Sequence, residues 1–478
     1  MTSIRSPFTG EVVGEVREVG VAEADAVAAR SVAAFAEMRV LSTYRRSEIL
    51  RKTAALLARD HAKVATLLSR EAGKPLVLAK GEVDRGIQTF TAAAEESKRM
   101  GGEIMPLDVT EASEAYDGSF VRVPIGPVLG ISPFNFPLNL VAHKVAPALA
   151  VGASIVLKPA PQTPLTALYL AELVREAGAP DDALLVCPAD VAAAEAWVQD
   201  DRFALLSFTG SDKVGFHLKS IAGKKKTLLE LGGNAAAIVC EDAPDLAFAA
   251  KRLAASAFGY AGQVCIKTQR IFVHAKVADA FTEAFVAAAR ALSFARDERD
   301  ETSIVGPLID DRSAARVAAW VDESRAAGSG GSTSSGGSAG RPAAEALLMG
   351  AREGRFLAPT VLRVALADAG RKDLKVVSEE LFGPAVTISV YSAWDDAIAA
   401  VNASRYGLQA AVFTDSLAKV RDAYARLAVG GLIVNDATNV RVDVMPYGGV
   451  KDSGSGREGV RFAISEMTEP KMLVIRRT

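Results

Sequence analysis

The chain has 478 residues, of which half are hydrophobic and 23% are charged. This composition supports large buried cores and excludes a wholly disordered chain. Lysine and arginine number 55 against 57 aspartate and glutamate, so the formal net charge is −2. That balance offers no broad basic surface for nucleic acid or for an anionic membrane.

Cysteine and histidine are sparse. Cys187, Cys240 and Cys265 lie far apart without a CxxC pair, which favours a reducing compartment over a disulfide framework. The four histidines lack zinc-ligand spacing, so we expect no metal site. The amino terminus has no apolar signal core, and the longest apolar run, 145–157, is shorter than the roughly 20 residues that a membrane-spanning helix needs. We therefore expect a soluble cytoplasmic protein.

The predicted elements begin with helices. Apolar residues recur at three- and four-residue spacing over 22–38 and 42–59, a pattern typical of amphipathic helices. After residue 120, short apolar runs alternate with helical patterns, which favours a doubly wound parallel sheet. The predicted elements here are strands at 128–131, 154–157 and 183–187 and a helix at 138–151. A second helix is predicted to end at 176, with Thr163 as its N-cap and Pro164 as the proline of its first turn.

A second α/β pattern follows residue 232 and indicates a second domain with a cleft between the two. Its predicted elements are strands at 235–239, 268–273 and about 356–362, and helices at 244–260, from 274 to 295, and at 313–327. Between the last helix and the last strand, residues 328–340 form a Gly/Ser tract. We predict a flexible loop there, either native or an inserted linker.

The first candidate site residue is Cys265, in the sequence Gly-Gln-Val-Cys. A lone cysteine is by default a small buried hydrophobic residue. Gly262 and Gln263, however, predict an irregular turn that exposes side chains and backbone N–H groups together. A thiol nucleophile needs an oxyanion site beside it, and the N–H of Cys265 itself could supply one.

Two further polar residues stand in apolar surroundings. Glu230 lies within the run Leu-Leu-Glu-Leu-Gly-Gly, and burial would raise its pKa toward that of a general base. A salt bridge to lysines 224–226 is the alternative. Asn135 lies in Pro-Phe-Asn-Phe-Pro, where two prolines predict a rigid connector. Its amide would suit an oxyanion hole, although turn-forming asparagines are common.

Two short segments are typical of nucleotide sites. Thr209-Gly210-Ser211 follows an apolar run and precedes a helix, whose first N–H groups could face a pyrophosphate. Lys158 ends a predicted strand, at the edge where doubly wound sheets hold ligands. Either signal is weak when taken alone.

Together with Glu-Glu-Leu-Phe-Gly-Pro at 379–384 and Met-Pro-Tyr-Gly-Gly at 445–449, these motifs resemble the aldehyde dehydrogenase superfamily over nearly the whole chain. The resemblance implies an α/β fold with a Rossmann-type cofactor domain, an α/β catalytic domain and a small β oligomerisation element. It implies a homodimer or homotetramer. The implied boundaries are 1–105 and 124–231 for the cofactor domain, 232–441 for the catalytic domain, and 106–123 with 460–478 for the oligomerisation element.

The resemblance also implies a role for each site residue. Cys265 would attack the aldehyde, while its N–H and the Asn135 amide would hold the oxyanion. After hydride transfer to NAD or NADP, Glu230 would activate the water that hydrolyses the thioester. Lys144 and Glu458 match a proton relay behind the base, or an ordinary salt bridge. The implied cofactor residues are Lys158, Pro161, Thr209, Gly210, Ser211, Glu380 and Phe382.

Two positions bear on the choice of cofactor and on the type of reaction. Many NAD-preferring members carry a glutamate three residues after the ribose-binding lysine, where this chain has Pro161. Without that carboxylate, a 2′-phosphate is not repelled, so we expect NADP to be accepted. Glu230 favours hydrolysis, because the CoA-acylating branch typically lacks this base. The alternatives are a CoA-acylating dehydrogenase and a catalytically silent binding or structural homologue.

The substrate prediction depends on the segment 433–446, which looks like that of lactaldehyde and non-phosphorylating glyceraldehyde-3-phosphate dehydrogenases. Arg441 could hold an anionic or hydroxylated substrate tail, or could be a rim arginine paired to Asp443. Leu140 is a second substrate candidate. The expected substrate is a small aldehyde of the lactaldehyde, glyceraldehyde-3-phosphate or semialdehyde type, with no nucleic-acid, membrane or metal partner.

Overall fold

The structure is a computed structural model that describes residues 1–328 and 342–478. Of the predicted Gly/Ser loop at 328–340, all but Gly328 lie outside the described residues. The described α-helices are Ala24–Met38, Thr43–Arg59, His61–Ala72, Leu76–Glu96, Asn139–Val151, Leu165–Glu176, Val191–Gln199, Asp212–Ile221, Leu246–Phe258, Ala278–Arg290, Asp311–Ala326, Lys375–Ser378, Trp394–Asn402, Leu417–Arg426 and Val460–Glu466. Short 3-10 helices are Val21–Glu23, Glu111–Ser113, Gly259–Gly262 and Leu366–Asp368.

The first sheet has six strands. In spatial order they are Gly454–Ser455, Lys226–Glu230, Leu205–Thr209, Val128–Ile131, Ile155–Lys158 and Leu184–Val186. All neighbours are parallel except the two-residue strand at one edge. Val128–Ile131 is the first strand of this sheet along the chain. The next two strands are added on one side of it and the following two on the other, so the strand order reverses between Val128–Ile131 and Leu205–Thr209. Ligands of doubly wound sheets bind at the carboxyl ends of the strands flanking such a switch point.

The second sheet has seven strands. In spatial order they are Ala344–Leu348, Thr360–Val364, Ala385–Tyr391, Arg270–His274, Ala236–Val239, Gln409–Phe413 and Gly431–Val434. It is parallel apart from Ala344–Leu348, which is antiparallel to its neighbour. On each face of both sheets, apolar side chains pack with helices into a buried core, as near-continuous apolar strands require. The fold is therefore the predicted α/β architecture with two parallel sheets.

A third sheet is antiparallel and has three strands, Thr468–Arg476, Tyr116–Pro124 and Gly102–Pro106. Its long edge strand exposes consecutive apolar side chains, with Leu473 at 56% and Ile475 at 55% exposure. Three two-stranded ladders complete the described strands: Thr2–Arg5 with Val12–Val16, Arg352–Glu353 with Phe356–Leu357, and Tyr406–Gly407 with Val450–Lys451.

One predicted helix start is wrong. Thr163 does not cap the helix Leu165–Glu176, whose N-cap position is held by Pro164 without a side-chain cap. The carboxylate of Glu71 instead accepts hydrogen bonds from the backbone N–H groups of Leu165 and Thr166, at 2.8 and 3.0 Å. A cap from a distant helix leaves no local sequence signal, so the periodicity alone could not reveal it.

Three predicted boundaries in the second half also differ. The strand predicted at 356–362 is divided into Phe356–Leu357 and Thr360–Val364. The helix predicted to reach 295 ends at Arg290, after which Phe294 forms an isolated bridge with Val305. The helix predicted at 244–260 ends at Phe258, where the chain enters a tight turn.

Two features are absent from the described residues. No helix in the described ranges is both long and apolar enough to cross a bilayer. Nor do the histidine, cysteine, aspartate and glutamate side chains of those ranges form a group able to hold a metal ion.

Candidate active site

A cavity of about 420 Å³ brings the thiol of Cys265 together with side chains from both halves of the chain. The predicted site residues Cys265, Arg441 and Leu140 all line it. The other lining residues are Lys74, Val77, Leu78, Gly81, Glu82, Arg85, Phe136, Asn139, Arg252, Ala255, Ser256, Gly259, Tyr260, Val264, Ile266, Ile304, Asn439 and Tyr447. The wall is mainly apolar with a few converging charges, as is typical of small-molecule sites.

The turn before Cys265 is irregular, as the sequence predicts. Tyr260 and Ala261 adopt the left-handed conformation, with φ of 51° and 52°. This conformation is costly for residues other than glycine and must be fixed by neighbouring contacts. The N–H of Tyr260 donates to the carbonyl of Ile304 at 2.7 Å, and its hydroxyl donates to the carbonyl of Ala72 at 2.9 Å. The nucleophile loop is thus bonded to two other segments.

The side chains of Gln263 and Asn135 form further hydrogen bonds that hold this loop in place. The Gln263 side chain donates to the carbonyl of Pro307 at 3.2 Å and accepts from the N–H of Ile309 at 2.9 Å. The buried amide of Asn135 donates to the carbonyl of Gln263 at 2.9 Å, which places this amide beside the backbone that leads into Cys265. One amide hydrogen is used in this bond, and a second hydrogen is left for another acceptor.

Cys265 is a half-buried free thiol. Burial raises its pKa to about 11, and the negative charges of Glu380 and Glu230 add to that effect. Two groups oppose it, namely the hydroxyl of Tyr447, 3.1 Å from the sulfur, and the guanidinium of Arg441. Since the thiolate is the reactive form, the balance among these groups sets the nucleophilicity of the site.

Glu230 is buried at the end of the strand Lys226–Glu230, with 3% exposure. Neither carboxylate oxygen has a hydrogen-bond partner among the described residues, so the alternative of a salt bridge to the neighbouring lysines is wrong. Burial raises its pKa well above the ordinary value, and the nearby Glu458 carboxylate raises it further. A Cβ at Gly448 would lie 2.8 Å from Oε1 of Glu230, which places the carboxylate against the loop that carries Tyr447.

Lys144 and Glu458 form a buried ion pair at 3.1 Å. The Lys144 ammonium also donates to the hydroxyls of Ser207 and Thr209, at 3.0 and 2.7 Å. Arg441 donates to the other oxygen of Glu458 at 3.2 Å. Burial opposes ionisation of Glu458, but the charges of Lys144 and Arg441 outweigh it and lower its pKa. Glu458 is therefore anionic near neutral pH, and its charge acts on Glu230.

Arg441 is not the rim arginine of the alternative prediction. Its side chain is only 6% exposed and pairs with Glu458, not with Asp443. Its Nε atom is buried without a hydrogen-bond partner among the described residues. The carboxylate of Asp443 is taken by another cluster, in which it accepts from Arg85 at 2.7 Å, Asn139 at 3.1 Å and His143 at 2.8 Å. Arg441 consequently keeps donor capacity for a ligand in the cavity.

The predicted phosphate turn lies at the switch point of the first sheet. Ser211 caps the helix Asp212–Ile221 by accepting from the N–H of Val214 at 3.4 Å. Lys158 ends the strand Ile155–Lys158, which lies two strands away in the same sheet. Its side chain is half-buried, and burial lowers its pKa. Pro161 is exposed three residues later. A helix N-terminus and a lysine at the same edge of one parallel sheet are donors that fit a dinucleotide.

Glu380 and Phe382 lie between this edge and the cavity. The Glu380 carboxylate accepts from the N–H of Gly233 at 2.9 Å, and burial raises its pKa to about 7. A Cβ at Gly232 would lie 2.7 Å from Glu380 Oε2, so the Glu380 carboxylate lies directly against the backbone of Gly232. Phe382 has a left-handed φ of 47° and packs edge-on against Phe134 at 5.8 Å. A carboxylate acceptor and an aromatic ring at this place are groups that could hold a cofactor.

Sequence reasoning missed several residues of the site. Tyr447 lies in the motif at 445–449, but the sequence indicates no role for it, although its hydroxyl contacts the thiol. Arg85 and His143 join Asp443 in a buried cluster at the base of the cavity. These residues come from three separate segments. Arg85 lies outside the helices predicted from the sequence, and the predicted helix at 138–151 gives His143 no role. For His143, the signal available in the sequence was a polar residue on the apolar face of a predicted helix.

Comparison with known proteins gives one consistent result. The profile of the aldehyde dehydrogenase family matches residues 1–473. The chain is 43% identical over 435 residues to 3-sulfolactaldehyde dehydrogenase from Priestia aryabhattai, covering 91% of this chain and 87% of that protein.

Two solved structures are similar over the whole chain. Aldehyde dehydrogenase 21 from Physcomitrella patens, in complex with the reaction product succinate, has a TM-score of 0.92 and 40% identity, covering 100% of this chain and 95% of that one. The glyceraldehyde-3-phosphate dehydrogenase GapN from Methanocaldococcus jannaschii, complexed with NADP, has a TM-score of 0.91 and 34% identity, covering 100% and 99%.

Proposed function

Because the chain belongs to the aldehyde dehydrogenase family, we propose that it oxidises a small anionic aldehyde to the carboxylic acid, with NADP or NAD as hydride acceptor. The observation that carries the proposal is the cavity, whose wall holds both the Cys265 thiol and the buried guanidinium of Arg441. A guanidinium binds carboxylate, sulfonate or phosphate oxygens through two donors at once. An anionic tail held there leaves the aldehyde end facing the thiol.

The relatives support an anionic substrate. The names of the three similar proteins refer to sulfolactaldehyde, to the product succinate and to glyceraldehyde 3-phosphate. These molecules share a short carbon chain with an acidic group, which is a sulfonate, a carboxylate or a phosphate. The volume of about 420 Å³ suits molecules of that size. Arg85 and Arg252 add two further cations to the cavity wall, and these favour the approach of anions.

The first chemical step belongs to Cys265. Its sulfur attacks the carbonyl carbon, and the carbonyl oxygen becomes an oxyanion. The free amide hydrogen of Asn135 and the N–H of Cys265 are the donors proposed to hold that oxyanion, as fixed dipoles that need no reorganisation during the reaction. When bound, the nicotinamide supplies the hydride acceptor that converts the adduct into a thioester.

The second step belongs to Glu230. Its raised pKa and unpaired oxygens suit a group that removes a proton from water. The resulting hydroxide attacks the thioester carbonyl carbon, and the Cys265 thiolate leaves. Lys144 and Glu458 are proposed to pass the proton onward, because the Lys144 ammonium links Glu458 to the hydroxyl of Thr209 at the sheet edge.

We predict that NADP is used at least as well as NAD, because position 161 holds an exposed proline instead of a carboxylate. Replacing Pro161 with Glu should lower kcat/KM for NADP about tenfold or more through repulsion of the 2′-phosphate, with little change for NAD. The two cofactors are compared at one fixed aldehyde concentration. Strict NAD dependence of the unmodified enzyme would refute the prediction.

The proposed function is tested by NADH and NADPH formation from a panel of aldehydes, with and without CoA. The panel contains 3-sulfolactaldehyde, succinic semialdehyde, glyceraldehyde 3-phosphate, lactaldehyde and benzaldehyde. We expect CoA-independent turnover with release of the free acid, and the highest kcat/KM among the three anionic aldehydes. Turnover only with CoA would assign the chain to the acylating reaction, and inactivity on the whole panel would overturn the proposal.

We also propose the three-stranded antiparallel sheet as the oligomerisation element of a homodimer or homotetramer. Its strand Thr468–Arg476 exposes Met472, Leu473, Val474 and Ile475 in succession. An exposed apolar edge strand of this length is a pairing surface. A monomeric mass by light scattering at micromolar concentration would contradict this assignment.

A further inference from the structure

Tyr447 is the side chain whose polar atom hydrogen-bonds the nucleophilic sulfur. Its hydroxyl oxygen lies 3.1 Å from Sγ of Cys265, and the residue is only 4% exposed. Its backbone is fixed by a reciprocal pair of hydrogen bonds with Glu458, at 3.0 and 2.7 Å. The guanidinium of Arg441 lies 3.7 Å from the ring centroid. The phenol is therefore held against the thiol from both its backbone and its ring face.

The thiol has no imidazole to activate it. Each of the four histidines, all within the described ranges, pairs with a carboxylate elsewhere: His61 with Asp84, His143 with Asp443, His217 with Glu195 and His274 with Glu241. Cysteine nucleophiles usually depend on a base, a cation or a hydrogen-bond donor that favours the thiolate. Around this sulfur the groups of that kind are the Tyr447 hydroxyl and the Arg441 guanidinium, whereas Glu230 and Glu380 oppose ionisation.

We infer that Tyr447 is a catalytic residue whose hydroxyl donates a hydrogen bond to Cys265 Sγ and stabilises the thiolate. The inference deepens the proposed function and rests on it. Either atom can donate while the sulfur is protonated, but only the phenol can donate once the sulfur is an anion. The bond is therefore stronger in the thiolate state than in the thiol state, which is the condition for shifting the equilibrium.

Tyr447 does not take the thiol proton. Burial raises its pKa well above the ordinary value, and the neighbouring sulfur raises it further, so the phenol stays protonated throughout the working pH range. The proton that leaves Cys265 goes to water, and the phenolic hydrogen remains on Tyr447. Arg441 assists, because a cation over the ring face increases the acidity of the phenolic O–H and so its strength as a donor.

The same hydrogen bond acts twice in the reaction. It lowers the free energy of the thiolate that attacks the aldehyde, and it lowers the free energy of the thiolate that leaves when the thioester is hydrolysed. Both steps should therefore slow when the hydroxyl is removed. Aldehyde and cofactor affinity should change little, because the hydroxyl points at the sulfur instead of the substrate tail.

The test is the rate of iodoacetamide alkylation of Cys265 between pH 6 and 10, followed by mass spectrometry of the Cys265 peptide. Cys187 and Cys240 are buried and serve as slow internal references. In Tyr447→Phe we expect the rate of Cys265 alkylation to fall about tenfold at each pH in this range, because a rise of one unit in the pKa of the thiol lowers the thiolate fraction tenfold. The matched control is Tyr424→Phe, since Tyr424 is 79% exposed. An unchanged alkylation rate in Tyr447→Phe would overturn the inference.

A second variant distinguishes loss of the hydrogen bond from disturbed packing around Cys265. Replacing Tyr447 with 3-fluorotyrosine keeps the ring and makes the phenol a stronger donor, so Cys265 should be alkylated faster at each pH than in the unmodified enzyme. Slower alkylation in both variants would indicate disturbed packing and would contradict the inference. Because alkylation needs no aldehyde, the expected rate changes without aldehyde turnover would refute the proposed function alone. Turnover with unchanged alkylation rates would refute only the role of Tyr447.

Discussion

Replacing Glu230 with Gln should stop the reaction after one turnover. We expect the steady-state kcat to fall by about 10²–10⁴-fold, the usual contribution of a general base. The first burst of NADPH should still approach one equivalent per site. The reason is that Cys265 and the oxyanion donors remain, so the thioester forms, but no group activates the water that hydrolyses it. Rapid-mixing measurement of NADPH absorbance separates the two phases.

Glu48→Gln is the matched control, because Glu48 is a surface carboxylate paired with Arg51 at 2.7 Å and should leave both phases unchanged. The pH dependence gives a second reading. The pKa of Glu230 is raised by burial and by Glu458, so kcat of the unmodified enzyme should rise with pH as this carboxyl group ionises. Loss of the burst together with kcat would contradict the assignment, since it would place Glu230 in activation of the thiol.

Replacing Arg441 with Ala should impair anionic aldehydes selectively. Succinic semialdehyde and butanal have the same four-carbon length and differ in the carboxylate. We expect the ratio of their kcat/KM values to fall by about 10–100-fold, which corresponds to one hydrogen bond between charged groups. The effect should appear mainly in KM for succinic semialdehyde. Steady-state kinetics with both substrates at saturating NADP measure it.

Arg252→Ala is the comparison for this effect. Arg252 lines the same cavity but is paired with Asp436 at 2.7 Å and is 41% exposed, so its removal should change the ratio far less. An equal loss for succinic semialdehyde and butanal in Arg441→Ala would assign Arg441 to the support of Glu458 and Tyr447 instead of to substrate binding.

The parallel sheets were predictable because their signal is local. The strand Val128–Ile131 begins and ends at the predicted residues, and its neighbours differ by one residue or so. Short apolar runs between helical patterns leave few other topologies. The nucleophile turn was also predictable, because Gly262 and Gln263 directly precede Cys265. The roles of the individual site residues could not be read from local patterns and came from the resemblance of the motifs to the aldehyde dehydrogenase superfamily.

The interactions that hold the site together were not predictable, because their partners are distant in the sequence. Asp443 binds Arg85 and His143, which precede it by 358 and 300 residues. Glu71 caps a helix that begins 94 residues later. The local pattern around Arg441 even favoured the wrong partner, since Asp443 is only two residues away. Pairing of buried charges depends on the packed fold and on desolvation, and neither has a local signature.

The central claim is that Cys265 carries the acyl group and that Glu230 releases it. Intact-protein mass spectrometry of Glu230→Gln, mixed with succinic semialdehyde and NADP without CoA, tests this most directly. The account predicts a single added acyl group, located by peptide mapping on Cys265 and absent from Cys265→Ser. No adduct, or an adduct on another residue, would contradict it.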